Sequence, residues 1–319
     1  MDSLEQIFTA IQAWTFEYGV QPLFYSLGLS AYLEMAYDAV QIVLIGLCEI
    51  TLLYAVLRPL EALWPVEIWF DRRALRVDVI YTWLQRAGVL PLIFFFLLAP
   101  SLSRVDEWLR MHDLIPLNLE DWVPGLRDYP LLTFALYLVV LDFTEYWRHR
   151  LQHRLSWWWA LHSLHHSQGQ LSFWADDRNH LFDSLLANLW FAFVSLVIGV
   201  PPAQFILILV LTRVLQSVAH SNIRLSLGPV FSRLLVAPQF HRVHHGVGVG
   251  HEGRAAGCNF GVLLPIWDMV FGTANFTRGY FPTGIRDQRE GRAYGVDFWR
   301  QQVLGAQRLI AALRRRTQA

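Results

Sequence analysis

Two heptapeptides hold the residues best suited to chemistry, "LHSLHHS" at 161–167 and "FHRVHHG" at 240–246. Each carries three histidines in the pattern H-x-x-H-H: His162, His165 and His166, then His241, His244 and His245, with equivalent residues 79 positions apart (241 − 162). A third cluster, His149 and His153, has the spacing H-x-x-x-H. On a helix, positions i, i+3 and i+4 share a face, so each cluster turns two or three imidazoles toward a common point. Neutral imidazole is the commonest side-chain ligand for iron, zinc, copper and nickel. A four-coordinate zinc site uses four ligands at most, so eight converging imidazoles exceed what one ion needs. Two ions with about four nitrogens each, and open positions for small ligands, fit the count better. Without an ion, imidazoles crowded in this way would repel one another once protonated.

The other histidines divide. His220, in "AHSNIRL", closes an apolar run on the side where the clusters lie and is expected to be a ninth ligand. His180, in "DDRNHLF", precedes another apolar run at the same level and is a ligand, a residue that orients ligands, or part of a substrate pocket. His112, in "RMHDL", and His251, in the Gly-rich "GVGVGHEG", read as ordinary loop residues. Asp142 and Glu145 lie one or two turns before His149 on the same helix. They could bind metal, or hold His149 by accepting its second N–H. The chain has no repeated Glu-x-x-His, which excludes the carboxylate-bridged di-iron bundle.

The elements that must position these residues are apolar. Five runs approach the length of a membrane span: roughly 39–57, 87–102, 129–147, 184–200 and 203–219, the last two split by Pro201 and Pro202. Arginines concentrate at 58–86, 148–183 and 220–319, and are sparse or offset by acids elsewhere. Because positive charge favours the cytoplasmic side, those three segments are expected inside the cell and the N-terminus outside. The hairpin formed by the last two runs then leaves and returns, which brings both H-x-x-H-H motifs to one membrane face. The expected fold is an all-α integral membrane bundle of about four or five spans with a cytosolic helical cap holding a histidine-rich di-metal site. Its expected divisions are an N-terminal membrane region at 1–128, a histidine-motif core with its hairpin at 129–275, and a basic amphipathic tail at 276–319 lying near anionic headgroups.

Composition supports a membrane protein. Of 319 residues, 54% are hydrophobic and only 16% charged, and the mean hydropathy is +0.32. Trp and Tyr are abundant, at 14 and 11, as suits the bilayer interface. Formal net charge is zero, so nothing points to a nucleic-acid partner. All 26 basic residues are Arg, which excludes a Schiff-base lysine and a P-loop and hints at a bacterial source. Two cysteines are too few for a disulfide framework or a cysteine-type zinc site. The acidic start "MDSLEQIFTAIQAW" lacks the basic region of a cleavable signal peptide. A metal transporter, a distant alternative, would carry its polar residues in the middle of the spans rather than past their ends.

The ordered motifs "HRLQH" (149–153), "HSLHH" (162–166) and "HRVHH" (241–245), with "DFTEYWRHR", "DDRNH" and "CNFGVLLPIWDMVFGT", resemble the membrane fatty acid hydroxylase/sterol desaturase superfamily. "HRVHHG" followed by "NFG" and "WD" is also similar to its alkylglycerol monooxygenases. The resemblance implies a non-haem di-iron centre at the cytosolic face of a membrane protein; with the arginine bias and placement, the expected location is the bacterial inner membrane, with the site on its cytoplasmic side. It implies two iron ions, O2 as co-substrate, an external redox partner as electron donor and a lipid substrate. The reaction would be hydroxylation of a fatty acyl, sterol or related alkyl chain, with desaturation or ether cleavage as alternatives. The ligands would be His149, His153, His162, His165, His166, His241, His244 and His245, with His220. Arg178, Asn222, Asn259 and Asp268 would join Asp142, Glu145 and His180 in supporting them. Trp174 and Trp267 would line the lipid path or pack at the interface.

Overall fold

The computed structural model describes residues 2–69, 72–114, 118–253 and 256–316. Among them the chain is helical and has no strand; two isolated bridges join Pro65 to Ile223 and Gly246 to Thr283. The principal helices are α1 (Asp2–Thr15), α2 (Leu33–Leu63), α3 (Arg72–Arg86), α4 (Val89–Met111), α5 (Pro130–Arg154) and α6 (Ser156–His162). They are followed by α7 (Leu181–Val197), α8 (Pro202–His220), α9 (Pro238–His244), α10 (Ile266–Val270) and α11 (Phe298–Arg316).

The five apolar runs coincide, to within three residues at their ends, with parts of α2, α4, α5, α7 and α8. Among the described residues, three stretches are long and apolar enough to cross a membrane: Ser30–Leu63, Arg72–Met111 and Pro202–His220. Helix α7 is apolar but shorter, and α5 carries Asp142, Glu145 and Arg148 within its length. Of the four or five spans expected, three stretches among the described residues therefore meet the requirement by themselves, one of them running through both α3 and α4. Proline occupies the first position of α5, α8 and α9, where its missing N–H has no helical partner to lose.

Two glycines fix how the membrane helices meet the cap. A Cβ on Gly46 would lie 1.4 Å from the carbonyl oxygen of Arg86, so α2 and the end of α3 cross at backbone contact. Gly88, at φ +95°, turns the chain from α3 into α4 in a left-handed conformation that other residues rarely adopt. Three apolar clusters hold the helices together. Ile50, Leu53 and Leu57 of α2 pack on Phe173, Trp174 and Ile223. Val77 and Tyr81 of α3 pack on Leu164, Ile285 and Tyr294. Tyr137 and Leu141 of α5 pack on Phe191 and Ile208.

The C-terminal helix is docked, not free. One face of α11 lies along α6 and buries Gln301 and Gln302. Tyr81 donates to Gln301 and accepts from Gln302, both at 2.9 Å. Trp299, Val303, Ile310 and Leu313 remain exposed on the other side. Arg254 and the last three residues of the expected tail lie outside the described residues.

Candidate metal centre

Nine histidines converge from four helices and the turns that follow two of them, and all are buried. His149 and His153 project from α5. His162 ends α6, and His165 and His166 follow in a single 3-10 turn. His220 is the last residue of α8. His241 and His244 lie on α9, with His245 just past its end. Each H-x-x-H-H motif thus crosses the end of a short helix instead of lying along one helical face.

That break distributes each motif between two groups. His149, His153, His162 and His166 bring one nitrogen each within 4.8 Å of one another, and so do His165, His220, His241 and His245. The first and last histidines of "HSLHH" belong to the first group and the middle one to the second. For "HRVHH" the assignment is reversed: His241 and His245 join the second group, while His244 leans toward the first. Its ring centroid is 4.4 Å from that of His149 and 4.6 Å from that of His166. The two motifs interlock.

Hydrogen bonds at the outer nitrogens decide which way the lone pairs point. A carbonyl or carboxylate oxygen can only accept, so a ring nitrogen facing one must carry the proton, leaving the other nitrogen of a neutral ring with a lone pair. Nδ1 faces Phe260 O in His149 (2.9 Å), Ala256 O in His153 (3.2 Å) and Cys258 O in His244 (2.8 Å). It faces Asp183 in His162 (3.1 Å) and Gln216 O in His220 (2.8 Å). Five Nε2 lone pairs are therefore directed inward. Those of His149, His162 and His244 are buried and accept no hydrogen bond from the chain.

The inner nitrogens are spaced as ligands of a shared ion. Nε2–Nε2 distances are 3.1 Å for His153–His166 and His165–His220, 2.9 Å for His220–His241 and 3.1 Å for His241–His245. Two nitrogens about 2.1 Å from one ion and at right angles would be about 3.0 Å apart. Hydrogen bonds alone do not satisfy this chain. His220 Nε2 has no proton to give, and a single proton on His241 Nε2 points at only one of its two neighbours. The donor set therefore fits metal ions.

Burial, and then the charges of neighbouring imidazoles, push His153, His165, His166, His241 and His245 well below the ordinary histidine range. His244 falls to about 3, with burial the main cause. Burial also lowers His162, against the opposing pull of Asp183. These rings are neutral at physiological pH, the state a metal requires.

The other expected site residues hold the backbone around the histidines. Asp142 accepts from Leu263 N, Leu264 N and Trp267 Nε1 at 2.8–3.1 Å, and does not reach His149, whose partner is Phe260 O. Glu145 pairs with Arg148 at 2.6 Å. Asp268 receives Phe260 N, Gly261 N and Thr273 Oγ1. Asn259, at φ +57°, donates to Phe240 O and Asn275 O. Together these fix the 256–264 segment, whose carbonyls at 256, 258 and 260 orient three ligands. Arg178 pairs with Asp78 at 2.7 Å, and Asn222 bonds to Glu67. His180 caps α7 through Nδ1 and contacts Gln302 O through Nε2, so it is no ligand. Trp174 is core, and Trp267 serves Asp142.

Sequence reasoning missed three supports. Asp183 receives Gln152, Trp158 and His162 in one buried cluster. Asp176 lies 3.3 Å from His220 Nδ1 and is bound by Arg86 and Ser217. His251 is stacked on Trp159 with ring centroids 3.4 Å apart, and its ring is 5.4 Å from that of His153. Asp176 lies within "DDRNH", and an acid in the first turn of apolar α7 was the available signal for Asp183. Nothing local marks His251.

A cavity of about 710 Å³ reaches the centre from between α2, α4, α7 and α8. His149, His162, His165, His220 and His241 line one end, and Phe94, Phe95, Leu98, Phe205 and Leu209 line the other part.

The sequence profile of the fatty acid hydroxylase family matches residues 134–273. Alkylglycerol monooxygenase from Homo sapiens is 31% identical over 146 residues, 46% of this chain and 31% of that protein. Ornithine lipid hydroxylase from Rhizobium tropici is 33% identical over 139 residues, 44% of this chain and 40% of that protein. A fatty acid hydroxylase from Lecanicillium is 26% identical over 177 residues, 51% of this chain and 47% of that protein. The chain thus spans less than half the length of these curated relatives. No solved structure matches it. The segment that matches the fatty acid hydroxylase profile contains all nine converging histidines.

Proposed function

We propose that the protein is an O2-dependent, histidine-ligated non-haem di-iron oxidoreductase that hydroxylates a lipid. The observation that carries this reading is the pair of four-histidine groups, with lone pairs directed inward, at the end of a largely apolar cavity. His149, His153, His162 and His166 would hold one iron and His165, His220, His241 and His245 the other, with His244 beside the first. Bound there, iron supplies the activation of O2 that side chains alone do not. Hydroxylation puts one oxygen atom into a C–H bond and reduces the other to water, drawing two electrons and two protons from outside the substrate.

The chain's own residues prepare the centre. Asp183 and the carbonyls at 256, 258 and 260 fix the tautomers and ring planes of His162, His153, His244 and His149. The apolar part of the cavity excludes water and accepts an alkyl chain. An external redox partner would supply the electrons. Arginine placement supports a centre on the cytoplasmic side of a bacterial inner membrane. It also fits a division into a membrane region at 1–128, a catalytic core at 129–275 and a C-terminal segment at 276–319.

Likeness to alkylglycerol monooxygenase favours ether cleavage as a second reading. It begins with the same hydroxylation, at the carbon next to the ether oxygen. Desaturation would use the same centre on a differently placed C–H bond. Iron-loaded protein supplied with a chemical reductant, bacterial lipid extract and isotopically labelled O2 separates these. Label in a hydroxylated lipid supports hydroxylation, and label in a released aldehyde supports ether cleavage. A new double bond without label supports desaturation. Iron-loaded protein that yields no oxidised lipid under these conditions would refute the oxygenase reading.

A further inference from the structure

The cavity is not uniformly apolar, and its polarity follows the same order along two antiparallel helices. On α8, His220 lines the end at the centre. Gln216 and Arg213 follow, roughly 6 and 10 Å along the axis, then Leu209 and Phe205 at roughly 16 and 22 Å. On α7, Asp183 stands at the centre beside His162. Ser184 and Asn188 follow, then Phe191 at roughly 12 Å. A polar belt therefore separates the histidines from the apolar part. An alkyl segment lying at the belt would leave its amides without partners, whereas a hydrogen-bonding group would satisfy them.

The charges in the belt are already committed. Arg213 pairs with Glu49 at 3.2 Å and Arg148 with Glu145 at 2.6 Å, and these are the cations among the lining residues. Asp176 and Asp177 are bound by Arg86, and Asp183 by His162. Asp38 is exposed on α2. What the belt still offers is neutral. The Gln216 amide makes no hydrogen bond to the described residues. Asn188 and Gln85 use their NH2 groups on Ser184, which leaves their carbonyl oxygens open.

Building on the oxygenase reading, we propose that the cavity selects a neutral amphiphile and presents its polar end to the metal centre. The substrate is a long-chain lipid whose polar end carries a hydroxyl or amide N–H that donates to the Asn188 and Gln85 carbonyl oxygens and an ether, hydroxyl or amide oxygen that accepts from the Gln216 amide, and it is oxidised within a few bonds of that end. Its chain runs outward along Leu209 and Phe205. A free fatty acid or a phosphorylated lipid finds no unpaired cation there. A site built to hydrogen-bond its ligand rejects an analogue lacking the partner far more strongly than one differing in chain length.

The test is binding to the full-length, metal-free protein in nanodiscs, with radiolabelled hexadecyl glyceryl ether as probe and palmitate as competitor. Palmitate should compete weakly. Gln216→Leu and Asn188→Leu should each weaken the ether lipid severalfold, and Gln216→Asn, which keeps an amide, should retain most of the affinity. Leu209→Ala should weaken both ligands by the same factor. Palmitate binding as tightly as the ether lipid overturns the inference, as does unchanged affinity in both leucine variants. Binding is read without metal or turnover, so a loaded protein that oxidises nothing would count against the oxygenase reading alone.

Discussion

The two histidine groups are equal in number and differ in what holds them. The first is anchored from outside its own helices. His149 and His153 are anchored by the carbonyls of Phe260 and Ala256, His162 by the Asp183 carboxylate, and the adjacent His244 by the carbonyl of Cys258 in the same 256–260 segment. The second is anchored mainly by charge. His220 bonds within its own helix to Gln216 O and leans on Asp176, which Arg86 ties to Asp177 and Glu49. His165 and His245 have buried Nδ1 atoms with no partner in the chain. One group is thus made rigid by backbone and the other by a buried ion network reaching into α2 and α8. Interlocking motifs allow this, since neither motif belongs wholly to either group.

The contrast breaks most severely at Arg86, which is fully buried against three carboxylates. Arg86→Met strands those charges and should cost about 3–5 kcal/mol of stability. In protein that still folds, the second group should lose metal first. Thermal unfolding and metal analysis check both points. Asp183→Ala should act on the other side, weakening metal binding at the first group by about 10–100-fold while sparing the second. Metal titration of the variant reads this directly.

Asn259→Ala is a finer probe of the backbone anchor. It removes bonds to Phe240, Asn275 and a left-handed residue's local support, at about 1–3 kcal/mol. The first group should loosen and the second should not, because His220 needs no carbonyl from that segment. Acid acts on both groups. The folded histidines are held below their ordinary value, so between the unfolded value of about 6.5 and the folded values the unfolded chain binds more protons. Stability of the metal-free protein should therefore fall as pH drops below about 6.5, and denaturant titrations across pH would show it. At the weak end, Arg127→Ala breaks an exposed pair with Asp121. It should change stability by about 0–1 kcal/mol and leave metal binding as it was.

What the sequence disclosed was local. H-x-x-H-H is a short-range pattern, so the eight clustered histidines could be chosen without a fold. His220 followed from its place at the end of an apolar run, and the apolar runs themselves became helices. The interlock could not be read, because it depends on α6 and α9 ending inside their motifs. Asp142 looked like a partner for His149, yet His149 bonds to Phe260, 111 positions away. His251 looked like a loop residue, and only folding stacks it on Trp159, 92 positions earlier (251 − 159). Asp183 was hidden for the same reason: its three donors come from α5 and α6, which no spacing rule connects to α7.

The claim on which the rest depends is that two interlocked motifs build two metal sites. Anaerobic titration of the metal-free protein with ferrous iron tests it, with His153→Ala and His165→Ala measured alongside. Two iron ions per chain should bind to the unaltered protein, and one to each variant. A single ion in the unaltered protein, or loss of both ions in each variant, would contradict it.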